Sequence, residues 1–168
     1  MTAYKFLRAG AVAPFTGFRW EPETWVEAGG ARACERGVHA CRARDLPYWL
    51  RAELWEIELA GEVVEGERKL VAERGRLVRR LERWNAEAAT ALAHDCAKRT
   101  RALATRHPAN DRLRQIAHDT EVVLSRGAFL IVPYFASVAA EQAGGAALRL
   151  EERVHQADWL AEHVLGLN

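Results

Sequence analysis

At 168 residues, with a formal net charge of +1, 49% hydrophobic and 28% charged residues, the chain has the mixture of an ordinary globular protein that buries a core without staples. Composition argues against disorder and against a membrane span: the longest apolar run, Ala128 to Ala136, contains Pro133 and falls far short of the ~20 residues a transmembrane helix needs. Three cysteines, Cys34, Cys41 and Cys96, without framework spacing point to reduced thiols, and the absence of a signal-peptide pattern makes the cytoplasm the expected location.

Ala3 to Leu7 reads as a short strand. Pro14, Gly17, Pro22 and Gly29-Gly30 then punctuate a loop that carries Phe15, Phe18, Trp20 and Trp25, aromatics expected to pack down on a sheet as core. Gly37 to Cys41 reads as a second strand, with Val38 and Ala40 on one face and His39 and Cys41 on the other. Asp45 is placed to cap a short helix containing Pro47. Trp55, Ile57 and Leu59 alternate with Glu56, Glu58 and Ala60, the clearest half-buried strand of the chain. Beyond the Glu65-Gly66-Glu67 turn, Lys69 to Ala72 and Arg76 to Val78 supply one or two more strands.

From Leu81 the period changes. Leu81, Trp84, Ala88, Leu92, Cys96 and Leu103 lie at helical spacing and predict a helix running to about Thr105. Asn110 or Asp111 caps a second helix ending at Gly127. A third, Ala128 to Ala143, is apolar nearly all round and so expected to be central, and Gly144-Gly145 closes it. A fourth, Leu148 to Leu165, places Leu150, Val154, Ala157, Ala161 and Val164 on one stripe, with Gly166 as its C-terminal cap. The fold class predicted is α+β: a small antiparallel or mixed sheet over residues 1–80, packed against a bundle of about four helices over 81–168.

The run Cys34-Glu35-Arg36-Gly37-Val38-His39-Ala40-Cys41, followed by Trp55 to Gly61 and Lys69 to Ala72, resembles an uncharacterised bacterial and phage domain family whose members carry a Cys, then Gly-Phe-His-Ala-Cys or a close variant, then a strand ending in Gly. The resemblance covers residues 1–83 and implies no particular activity. The helical half is similar to bacterial immunity-like helical proteins through His94 to Ala97, Asn110 to Arg114 and Glu152 to Leu160, which by analogy implies a role in bacterial or phage conflict.

Several constellations could carry chemistry. Cys34, His39 and Cys41 are candidate zinc ligands, with Cys96 or His94 as the fourth, although the spacing matches no standard module. His39 with Cys41 or Cys34 could form a nucleophilic pair, for which no orienting acid can be named. Tyr4, His39 and Glu56 or Glu58 have the layout of an ADP-ribosyltransferase-like nucleotide site. Between Arg74 and Arg114 eleven Arg or Lys stand against four acidic residues; Arg79 and Arg83 belong to this group, but Glu82 and Glu87 are mixed with it, which favours a solvated face over phosphate binding. Glu152, His155, Gln156, Trp159 and Glu162 form a polar face on the last helix, with Trp159 as a candidate interface anchor and His155 beside it.

No phosphate loop, paired-His metalloprotease helix or nucleophile elbow is present. The reading that follows is a non-catalytic accessory or partner-binding protein. Another protein is its expected partner, with no nucleic acid and no membrane, and no cofactor is implied. A zinc-stabilised module and an enzyme with a nucleotide site are the alternatives.

Overall fold

The computed structural model describes residues 1–32 and 36–167, and these form two compact units, Met1–Asn85 and Ala86–Asn168. The first holds all the strands: β1 (Thr2–Leu7), β2 (Val26–Glu27), β3 (Val38–Ala40), β4 (Glu53–Glu65) and β5 (Leu70–Arg80). Every pairing is antiparallel, in the order β1-β4-β5-β2, with β3 also on β5. Residues 70–80 are thus one continuous strand.

The sheet closes on itself. Immediately after β3, Cys41 exchanges two backbone hydrogen bonds with Tyr4, at 2.8 and 2.9 Å, so β1, β4, β5 and β3 form a ring. Register shifts in the β4–β5 ladder at Glu56/Ile57 and Ala60/Val63 supply the bending that closure requires. Alternation decides what lies inside: Ala3 and Leu7, Val38 and Ala40, and Ile57 and Leu59 are buried together. Phe6 and Leu54, paired across β1 and β4, are buried as well, and Phe6 meets Trp84 edge-on at 5.4 Å.

Two expectations for this unit need correcting. The residues around Asp45 form a 3-10 helix, Ala43–Tyr48, in which Asp45 lies inside rather than at the cap and pairs with Arg42 at 2.7 Å. Leu81 and Trp84 do not begin the first helix, which starts at Ala86. Trp84 is almost wholly buried and donates its Nε1–H to Arg51 O at 2.8 Å, so it completes the sheet unit. Its helical spacing with Leu81 and Ala88 is coincidental.

The second unit holds α1 (Ala86–Arg106), α2 (Asp111–Ser125) and α3 (Val132–Leu160), with a 3-10 turn at Phe129–Ile131 and a π-helical turn at Ala161–Leu165. Asn110 caps α2, accepting from Leu113 N at 3.0 Å. Gly145, at φ +74°, breaks α3 into arms of 132–143 and 146–160, a backbone turn that a side chain would oppose. Leu103, Leu113, Ile116, Ala139 and Ala140 form a core, where alanines let helices approach closely.

Leu92, Cys96, Leu103, Leu113, Ile116 and Leu124 are buried where periodicity puts them, as are Ala157 and Val164, but other apolar residues of the predicted faces are not. Leu130, Ile131 and Tyr134 are exposed at the head of α3, and Leu150 and Val154 are exposed on its second arm. The buried face of that arm is instead Glu152, Arg153, Gln156, Ala157 and Leu160. Glu152 is held by Arg99 of α1, while Gln156 donates to Pro133 O at 2.9 Å and to Glu152 at 2.6 Å. Polar groups are tolerated inside because each finds a partner.

Candidate functional site

Residue 5 is where the strand pattern departs from its own rule. Ala3, Lys5 and Leu7 share the inward face of β1, and the flanking two are fully buried. Although Lys5 as a whole keeps some exposure, its amine is desolvated, which lowers its pKa to about 8. The ammonium donates to His39 O and lies 5.2 Å from the centre of the Trp20 ring, a favourable cation–π distance.

Around Lys5 is a cavity of about 720 Å³, within the range of small-molecule sites. β1 contributes Tyr4, Lys5 and Phe6; the segment ending β3 contributes His39 and Cys41; the aromatic loop contributes Phe15, Phe18 and Trp20. Trp20 is buried as expected of a core aromatic, but Phe15 is 79% and Phe18 46% exposed. This corrects the expectation that the loop aromatics are all core. Phe18 packs edge-on against Trp20 at 5.6 Å.

The loop is pinned from a distance. Glu53, the first residue of β4, accepts from Gly10 N at 2.9 Å, Ala11 N at 3.1 Å and Trp55 Nε1 at 3.0 Å, and Arg80 stands 3.4 Å away. Desolvation pushes this carboxyl up, but its donors and Arg80 outweigh that and hold it below the usual range. Ala11 takes a positive φ of 56°, strained for a residue with a side chain, and the carboxylate bonds hold it there.

Two of the lining residues hold a buried polar atom with no hydrogen-bond partner: Trp20 Nε1 and His39 Nε2. Such atoms are costly unless something satisfies them. Burial, Lys5 and Lys69 together lower the His39 pKa, which favours a neutral ring. Burial pushes the Cys41 thiol up to about 12, leaving it protonated. The cavity therefore presents the Lys5 ammonium, a neutral imidazole and an apolar wall, with no thiolate.

A family model described as a domain of unknown function, DUF7666, matches residues 1–89, just over half of the chain. The chain belongs to the DUF7666 family. Neither the comparison with curated proteins nor that with solved structures finds a match. The DUF7666 match agrees with the uncharacterised-family resemblance read over residues 1–83, and it takes in the whole ring of strands together with the cavity.

Within the DUF7666 domain, Tyr4 and His39 do line one cavity, but Glu56 and Glu58 are turned to Arg79 at 2.8 Å and Arg76 at 2.6 Å and are absent from its lining. Tyr4 sits opposite Glu56 in the ladder, and its pKa is raised by burial and by that carboxylate. Arg79 is thus an ion-pair partner, and Arg83 lies in the exposed turn before α1. Of the zinc candidates, Cys34 lies outside the described residues, Cys41 lines the cavity, and Cys96 is a buried thiol of the helical unit raised to about 12 by burial. Among the described residues no cluster of three or more His, Cys, Asp or Glu is arranged for a metal, and no helix is long and apolar enough to cross a membrane.

In the helical unit, Trp159 is half-buried and stacks on His163 at 4.4 Å, while His155 is exposed, 3.5 Å from Asp95. The polar face drawn through Glu152, His155, Gln156 and Trp159 is therefore divided between interior and surface. Sequence reasoning passed over Lys5, Trp20 and Glu53 as site residues. Lys5 had a signal, a cation on the inward period of a strand; the tie between Glu53 and residues 10 and 11, 43 and 42 residues away, had none.

Proposed function

We propose that this chain is a non-catalytic binding protein that receives its ligand in the aromatic-walled cavity of the DUF7666 domain. The observation that carries this reading is the exposure of Phe15 and Phe18 at a cavity of about 720 Å³ whose Trp20 and His39 hold unpaired polar atoms. Apolar walls with a few unsatisfied polar groups are the ordinary make-up of a ligand site. A protonated Cys41 and strand glutamates committed to arginines give little support to nucleophilic or acid–base chemistry. On this reading the protein is a cytoplasmic accessory factor of a bacterium or phage, and its partner is recognised rather than transformed.

The test is titration with 1-anilinonaphthalene-8-sulfonate, whose fluorescence rises in apolar sites. Saturable binding at one site per chain, lost when Ala13→Phe fills the cavity wall but circular dichroism is unchanged, is the expected result. Binding that ignores Ala13→Phe would remove the cavity from the proposal. Because Tyr4 and His39 share the cavity, an enzyme acting on a nicotinamide dinucleotide is the second reading. Release of nicotinamide from the dinucleotide, abolished by His39→Ala or Glu58→Ala, would replace the first reading with this one.

A further inference from the structure

The donors in the cavity narrow what it can take. The Lys5 ammonium has three N–H groups, and the contact it makes to a hydrogen-bond acceptor is to His39 O. Trp20, 5% exposed, has an Nε1–H with no acceptor. An indole nitrogen only donates, so whatever satisfies Trp20 must bring an acceptor, and a partly desolvated ammonium beside it favours an anionic one.

The charges facing Lys5 point the same way. From the segment after β3 comes Cys41, a neutral thiol at ordinary pH. Asp45 acts on Cys41 but is held by Arg42 at 2.7 Å. From β3 comes the His39 ring, whose pKa is lowered in part by Lys69; Arg51, also in the lining, donates to Leu50 O at 2.6 Å. The β4 residue opposite Lys5 is Trp55, which is uncharged. The Lys5 ammonium and the Trp20 Nε1–H suit the two oxygens of a carboxylate, Lys69 and Arg51 in the lining add positive charge, and the exposed rings of Phe15 and Phe18 suit a flat apolar body.

We propose that the cavity is a site for small aromatic carboxylates, the carboxylate meeting the Lys5 amine and the Trp20 Nε1–H and the ring lying against Phe15 and Phe18. This rests on the binding reading above and adds the ligand's charge and shape. The partial desolvation of Lys5 gives the site a pH signature: with its pKa near 8, the ammonium that attracts the carboxylate is lost at mildly alkaline pH, and ligand binding at pH 8 draws a proton onto the amine.

The experiment is calorimetric titration of the whole protein with 2-naphthoate and with its neutral isostere 2-naphthamide. At about pH 7 naphthoate is expected to bind at least ~10-fold more tightly, the lower end for a charge-assisted hydrogen bond. The preference should disappear by about pH 9.5, where Lys5 is neutral. Lys5→Met, which keeps the stem, should abolish the preference for naphthoate over naphthamide, and Trp20→Phe should weaken naphthoate binding. Equal binding of the two probes at pH 7, or a preference that survives Lys5→Met, overturns the proposal. Should Lys5→Met fail to fold, the pH series on the unaltered protein decides. If naphthamide and the naphthalene sulfonate bind while naphthoate has no advantage, the binding reading stands and this one falls. If none binds, both fall.

Discussion

Arg99 grips both oxygens of Glu152: Nε reaches Oε2 at 2.8 Å and Nη2 reaches Oε1 at 2.9 Å. The pair joins α1 to the second arm of α3, and Glu152 is 7% exposed. Gln156 and Asp95 complete the network, and burial of the guanidinium is outweighed by these acceptors, so Arg99 stays charged throughout the usual pH range. Removing one partner of a buried ion pair leaves the other uncompensated. Glu152→Ala is therefore expected to destabilise the helical unit by about 3 kcal/mol, read as a lower urea midpoint. Asp95→Asn, at a more exposed site, should cost under about 1 kcal/mol.

Gly37 carries a backbone requirement. Its φ is +137°, and a Cβ there would stand 2.3 Å from Val71 Cγ1, closer than atoms can approach. Gly37→Ala should lower the melting temperature of the strand unit by several degrees, corresponding to about 1–3 kcal/mol. An Ala variant as stable as the parent would mean that β3 can move away from β5 at no cost.

Lys5 and Cys41 give opposite alkaline effects. The Lys5 pKa falls from 10.5 to about 8 on folding, so between those values the unfolded chain binds more protons and stability rises with pH. The Cys41 pKa rises from 9.0 to about 12, and Cys96 behaves alike, so from pH 9 to 12 the native state binds more protons and stability falls. Chemical denaturation at intervals from pH 7 to 11 should show a gain that Lys5→Met removes, followed by a loss that Cys41→Ala reduces. A monotonic fall from pH 7 in the parent protein would contradict the burial of the Lys5 amine.

Trp84 fixes where the strand unit ends. Its indole bonds Arg51 O and its ring packs on Phe6. Trp84→Ala should cost about 3–5 kcal/mol. Correspondingly, a fragment of residues 1–85 should melt well above one of residues 1–80, compared by differential scanning calorimetry.

Much of this architecture is legible in the chain. Trp55, Ile57 and Leu59 alternate because one face of β4 is buried, and Asn110 announces α2 because a side-chain acceptor suits a helix start. What escaped depends on distant partners. Glu152 and Gln156 read as surface until Arg99 and Pro133 are seen to receive them, and Leu150 and Val154 read as core for the converse reason. The cavity is hidden in the same way, since the path of its aromatic loop is tied at Ala11 to Glu53, the start of a strand 42 residues later. Lys5 was passed over although its signal is local: a cation between two inward-facing apolar residues is visible in the sequence and breaks the pattern of a buried strand face.

The ring of strands has a kinetic side. Thr2 of β1 pairs with Glu58, and Tyr4 of the same strand pairs with Cys41, so β1 can be fully locked only after more than 50 further residues have emerged. Closing such a loop precedes the reward of its contacts. Each helix of the second unit closes its own hydrogen bonds between residues four apart, even though α1 and α3 also meet across 53 positions at Arg99 and Glu152. In refolding, helical signal should therefore appear first, and the burial of Lys5, which needs both β3 and β4 beside β1, should be among the last events.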